Sequence, residues 1–179
     1  MKTIFDGDAE GSIQNTLDLV KWDFAERKFS LALPGNFAEM SGEKQEGSYP
    51  LANRPQIILE EEQGKEQITI QFFRKVLKKE DVRNAIEQVL ELTQEAFVQY
   101  TYSPVYLYGD GTVPVGWFLM HMKDMEKEHI KALFPIKEYM VLLTFTYPEE
   151  ESIKWCSLKE EIFASIKEDS SGTGTIWRP

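Results

Sequence analysis

The chain has 179 residues, 42% hydrophobic and 28% charged, which suits one globular domain able to bury its own core. Its net charge of −10 argues against nucleic acid as a partner, because a phosphate backbone demands a local excess of Lys and Arg. No apolar run approaches the roughly 18 residues of a membrane-spanning helix, and the opening "MKTIFDGDAEGS" turns acidic at once, so no membrane association and a cytoplasmic location are expected.

Residues 1–27 read as an N-terminal arm; "SIQNTLDLV" is compatible with a short helix capped by Ser12 or with an extended segment. In "RKFSLALPGNF", Phe29, Leu31 and Leu33 alternate with Lys28, Ser30 and Ala32, the period of a half-buried strand, which Pro34 and Gly35 end. Residues 38–56 form a long turn-rich loop. It carries Tyr49 and Arg54, residue types that concentrate at interfaces. "QIILEEE" and "EQITIQFFR" then flank "QGK", a hairpin with Gly64 placed to take a positive φ. Ile68, Ile70 and Phe72 share one face of its second strand.

"KEDVRNAIEQVLELTQEAFVQY" is a helix: Val82, Ile86, Val89, Leu90, Thr93 and Phe97 recur at helical spacing. Strands resume at "YSPVYLYG", continue after a turn at "DG" with "TVPVGWFLMHMK", and finish with "IKEYMVLLTFTYP". The last two are apolar on both faces, which marks a central pair covered on both sides. "SIKWCSLKEEIFASIKE" closes the domain as a helix striped by Trp155, Leu158, Ile162 and Ile166. Residues 169–179 form a tail containing Trp177. The order is strand, loop, hairpin, helix, three strands, helix: an α+β domain over 28–168, with an antiparallel β-sheet flanked by helices.

The chemistry-bearing residues are few. Both histidines lie in "HMKDMEKEHIK", where His121, Asp124, Glu128 and His129 form a candidate metal site. Register decides the matter. An odd loop centred on Met125 sets His121 opposite His129 on one face, close enough to share an ion. An even loop, such as a two-residue turn at Met125–Glu126, sets His121 opposite Ile130 and sends the imidazoles to opposite faces. The commoner two-residue connection favours a solvated hairpin tip. Cys156, the single cysteine, lies in an apolar helix without an adjacent base and reads as a buried structural thiol. The "EEE" runs at Glu60–Glu62 and Glu149–Glu151 read as a solvated strand end and a helix start. No G-x-S-x-G elbow and no P-loop is present, and no cofactor is expected. Tyr100, Tyr102, Tyr106 and Tyr108 share one parity of a short stretch, either packed beneath a helix or offered to a partner.

Three stretches carry a family resemblance: "FSLALPGNF" as opening strand, "ITIQFF" before the long helix, and "YMVLLTFTYPEEESIKWCSLKEEIFASIK" as last strand and closing helix. Together with the element order they resemble the Mog1/PsbP-like proteins, including the bacterial branch related to DcrB. "SYPLANRP" looks like small Firmicute members of that group. The resemblance covers roughly residues 28–168 and implies an α/β/α sandwich. Characterised members are mostly binding or assembly factors, and no binding residue of theirs aligns with a motif here. The expected function is therefore a non-enzymatic protein-binding or accessory module, associated through its relatives with immunity or secretion. Its partner would be a protein of basic character, and self-association into a homo-oligomer is compatible with the sequence. The expected surface joins the 38–56 loop to the tyrosine stretch: Tyr49, Arg54, Tyr102, Tyr106 and Tyr108, with Trp177 of the tail. The alternative is a metal-assisted hydrolase built on His121, Asp124, Glu128 and His129.

Overall fold

Alternating apolar residues drive more of the described chain into strands than into helices. The structure, a computed structural model, describes residues 18–50, 54–137 and 139–169. Trp177 lies outside the described residues. The strands are β1 (Leu19–Phe24), β2 (Phe29–Pro34), β3 (Phe37–Glu39), β4 (Ile57–Glu61), β5 (Gln67–Phe73), β6 (Thr101–Tyr102) and β7 (Tyr106–Tyr108). They continue with β8 (Val115–Met122), β9 (Lys127–Ile136), β10 (Tyr139–Pro148) and β11 (Lys167–Glu168). The helices are α1 (Gly42–Ser48), α2 (Val82–Ala96) and α3 (Ser152–Ser165).

The large antiparallel sheet runs β3-β4-β5-β10-β9-β8-β6, with β7 also on β8; a small sheet runs β1-β2-β11. β8 and β10 are covered on both faces, as their apolar pattern implies, but they are not adjacent: β9 lies between them. The N-terminal segment contributes β1, which pairs with β2 along its whole length.

One face of the large sheet carries the main core. Val115, Ile130, Phe134, Leu143 and Phe145 meet Trp155, Leu158, Ile162 and Phe163 of α3 and Phe29, Leu31 and Leu33 of β2. On the other face, Val82 and Ile86 of α2 pack on Phe118 and Leu133. Helices thus flank the sheet on both sides, with the small sheet sharing the α3 layer. Burial of a large apolar side chain contributes about 1.5–3 kcal/mol, so α3 with four buried apolar residues is held more firmly than α2 with two.

Local departures from the sequence pattern have identifiable causes. The 38–56 segment is not all loop: β3 lies in it, and Ser41 caps α1 by accepting from the backbone N–H of Lys44. α2 stops at Ala96, so Phe97 leaves the helical stripe, stands 42% exposed and stacks on Tyr100 at 6.0 Å. The "EEE" at 60–62 is not uniformly solvated. Glu61 is buried, and its carboxylate accepts from the N–H groups of Gln63 at 2.7 Å and Lys65 at 2.6 Å, closing the β4–β5 turn around Gly64 at φ +71°. α3 ends at Ser165, and the residues after it form β11.

Candidate binding groove

The groove lies on the α3 face, where β8 approaches the edge of the sheet. Side chains on one face of a strand recur at every second position. Trp117 and Leu119 of β8 therefore line up with Ile130 of β9 and Tyr147 of β10 as its floor. Ser152, Cys156 and Lys159, one turn apart on α3, form one wall. Tyr106 and Ser103 form the rim, the Tyr106 ring 4.8 Å from that of Trp117. The groove is open to solvent and has a volume of about 270 Å³.

One residue here overturns an expectation and another was not anticipated. Cys156 is exposed, not a buried thiol, because Trp155 and Leu158 take the inward positions of that turn. Lys159 is the buried one, at 3% exposure, since it stands four residues after Trp155 on the same helical stripe. Its ammonium donates to the Cys156 carbonyl at 2.5 Å, lies 3.8 Å from the Cys156 Sγ, and sits 4.6 Å from the Trp117 ring centroid. Lys159 is the residue that sequence reasoning missed. The available signal was its i+4 relation to a tryptophan in a helix otherwise facing a core.

At the far end of the groove a polar row crosses the sheet. His121 of β8 pairs with Glu128 of β9, which pairs with Tyr147 of β10. Burial raises the Tyr147 hydroxyl's pKa far above its ordinary value, and its hydrogen bond to Glu128 raises it further. Glu128 is 6% exposed, and its second carboxylate oxygen has no hydrogen-bond partner among the described residues. His121 Nε2 lies 3.3 Å from Glu149 Oε1.

The candidate metal residues divide accordingly. The β8–β9 loop has four residues, 123–126, with Glu126 at φ 51°. His121 consequently faces Glu128, not Ile130, and His129 faces Met120. The parity is still even, so the imidazoles project from opposite faces of the sheet. His129 lies on the α2 face, where burial above all, then Lys131 and Lys127, push its pKa down to about 3. Among the described residues no group of three or more His, Cys, Asp or Glu is placed to hold a metal ion.

The candidate interface residues also separate. Tyr49 is half-buried and donates to Gln67 Oε1 at 2.8 Å, and Arg54 is exposed. Both flank the β3–β4–β5 side of the sheet, whereas the tyrosine stretch borders the opposite edge, at least four strand spacings or roughly 19 Å from β5. The tyrosines themselves split. β6 pairs Tyr102 with Met120, while β7 pairs Tyr106 with Trp117, a register moved by one residue across the break at 103–105. A one-residue slip reverses facing. Tyr102 therefore turns to the α2 face, where its hydroxyl donates to the Thr93 and Phe97 carbonyls at the end of α2. Tyr106 and Tyr108 turn to the α3 face; Tyr108 packs on Phe163, and Tyr106 stays 44% exposed. At the break itself, Ser103 N–H donates to the Leu119 carbonyl at 2.9 Å, and Ser103 Oγ accepts from the Leu119 N–H at 2.8 Å.

The sequence matches no family model, and a search of curated proteins finds no relative. Solved structures are similar in fold. The solution structure of cyanobacterial PsbP (CyanoP) from Synechocystis sp. PCC 6803 superimposes with a TM-score of 0.62 at 8% identity, over 85% of this chain and 93% of that one. A crystal structure from Bacteroides thetaiotaomicron matches with a TM-score of 0.53 at 15% identity, over 86% of this chain. The chain spans about half of that protein, 49%. Among the described residues no helix is long and apolar enough to cross a membrane. The chain has a PsbP-like α+β fold.

Proposed function

We propose that this protein is a non-enzymatic binding or assembly module that docks a protein partner of basic character on its β7–β8 edge. The observation that carries this reading is the apolar set at that edge. Tyr106 and Leu107 stand 44% and 47% exposed beside the half-buried Trp117. Large rigid aromatics at an exposed edge supply contact area at low entropic cost. The net charge of −10 favours a basic partner and would speed its encounter. The resemblance to DcrB-related proteins supports an immunity- or secretion-associated role, in the cytoplasm. Arg54 and Tyr49, on the opposite side, belong to a second, separate surface under this reading.

A photo-crosslinking residue at position 107 tests it, with position 92 on the exposed side of α2 as control. A single basic protein captured at 107 and not at 92, and lost in Tyr106→Ser, is the expected result. Equal capture at both positions would remove the assignment of this edge.

A further inference from the structure

We propose that the groove between β8, β10 and α3 binds a small monocarboxylate with a flat apolar body, whose carboxylate is received by Lys159. The groove shares Trp117 and Tyr106 with the docking edge, but this proposal rests on one buried cation that the edge does not use.

Lys159 is 3% exposed, and none of the ion pairs among the described residues includes it. An ammonium carries three N–H donors. One donates to the Cys156 carbonyl and a second to the Cys156 sulfur, with the charge set against the Trp117 ring, which leaves the third. Donor capacity remains, and Lys159 lines the groove. A buried charge is costly unless paired, so an anion lodged there gains more than it would at an exposed lysine.

The rest of the groove defines the body of that anion. Trp117, Leu119, Ile130 and the Tyr147 ring offer flat apolar walls. A volume of about 270 Å³ lies just below the usual range of ligand pockets, roughly 300–1,000 Å³, which limits the occupant to a single ring with a short acidic arm. Among the described residues Lys159 is the only cation lining it, so one negative charge is matched and a phosphate dianion is not. Glu128 and Glu149, beyond Tyr147 at the far end, disfavour a second carboxylate.

Calorimetric titration of the full chain with 3-phenylpropionate, its neutral amide, 3-phenylpropylamine and phenylsuccinate decides the matter. The acid should bind at least about tenfold tighter than the amide and than the dicarboxylate, and should shift the Trp117 indole resonance. Lys159→Met should abolish the acid's advantage over the amide while the melting temperature holds. Should that variant fail to fold, the wild-type comparison and the Trp117 shift decide alone. Equal binding of acid and amide, tightest binding of the amine, no binding at millimolar concentration, or an acid preference that survives Lys159→Met would each overturn the proposal.

Discussion

Gly116 and Ile86 meet so closely that a Cβ on the glycine would lie 2.6 Å from Ile86 Cγ2 and 3.2 Å from Val82 Cγ1. The glycine is what lets α2 settle onto β8. Gly116→Ala therefore forces helix and strand apart. We expect a loss of about 1–3 kcal/mol in urea unfolding, with secondary-structure content unchanged by circular dichroism. An unaltered midpoint would mean that α2 can shift without cost.

Glu61 holds the β4–β5 turn through its carboxylate. Burial alone would raise its pKa, but the N–H groups of Gln63, Lys65 and Glu66 and the charge of Lys65 outweigh this, and the pKa falls below its ordinary value. A depressed carboxylate pKa contributes stability above the unfolded value of 4.5, lost as pH drops through the folded one. Glu61→Gln should cost about 1–2 kcal/mol at pH 7 and less at pH 3, read from paired denaturant titrations. An equal cost at both pH values would contradict the carboxylate's role.

His129 gives a second pH dependence in a defined window. The folded chain keeps its imidazole neutral down to about 3, while the unfolded chain takes a proton near 6.5. Stability at this group should be full above pH 6.5 and decline as pH falls toward 3, by up to about 1.4 kcal/mol per pH unit. Unfolding of wild type and His129→Gln at pH 7, 5.5 and 4.5 isolates that slope. Parallel curves for the two proteins would show that His129 protonates freely in the fold.

Because His121 and His129 project from opposite faces, equimolar zinc or nickel should leave the melting temperature unchanged. A rise of several degrees that His121→Ala removes would reveal a site drawn from His121, Glu128 and Glu149.

Much of the architecture was legible in the chain. The β4–β5 hairpin, α2 and the doubly apolar β8 and β10 follow from side-chain period alone. Gly116 was not legible, since a glycine in a strand shows no sign of the helix that will press on it. The groove escaped for two physical reasons. Parity counting carried Tyr102 and Tyr106 onto one face, and the register change at the β6–β7 break undid it. Lys159 was not counted in the apolar stripe of its helix, yet its position four residues after Trp155 drew it in. The histidines came close: the even loop parity held, and the pairing moved from Ile130 to Glu128 because the turn spans four residues instead of two.

Ser103 has a consequence for how copies of this protein coexist. Pro104 follows it and offers no N–H, and Ser103's own N–H and hydroxyl are turned back onto Leu119. The outermost strand is thereby cut into pieces of two and three residues with no continuous ladder between them. A neighbouring molecule finds no growth point there for strand-on-strand stacking. The molecule can therefore display Tyr106 and Leu107 at a sheet boundary without templating its own aggregation.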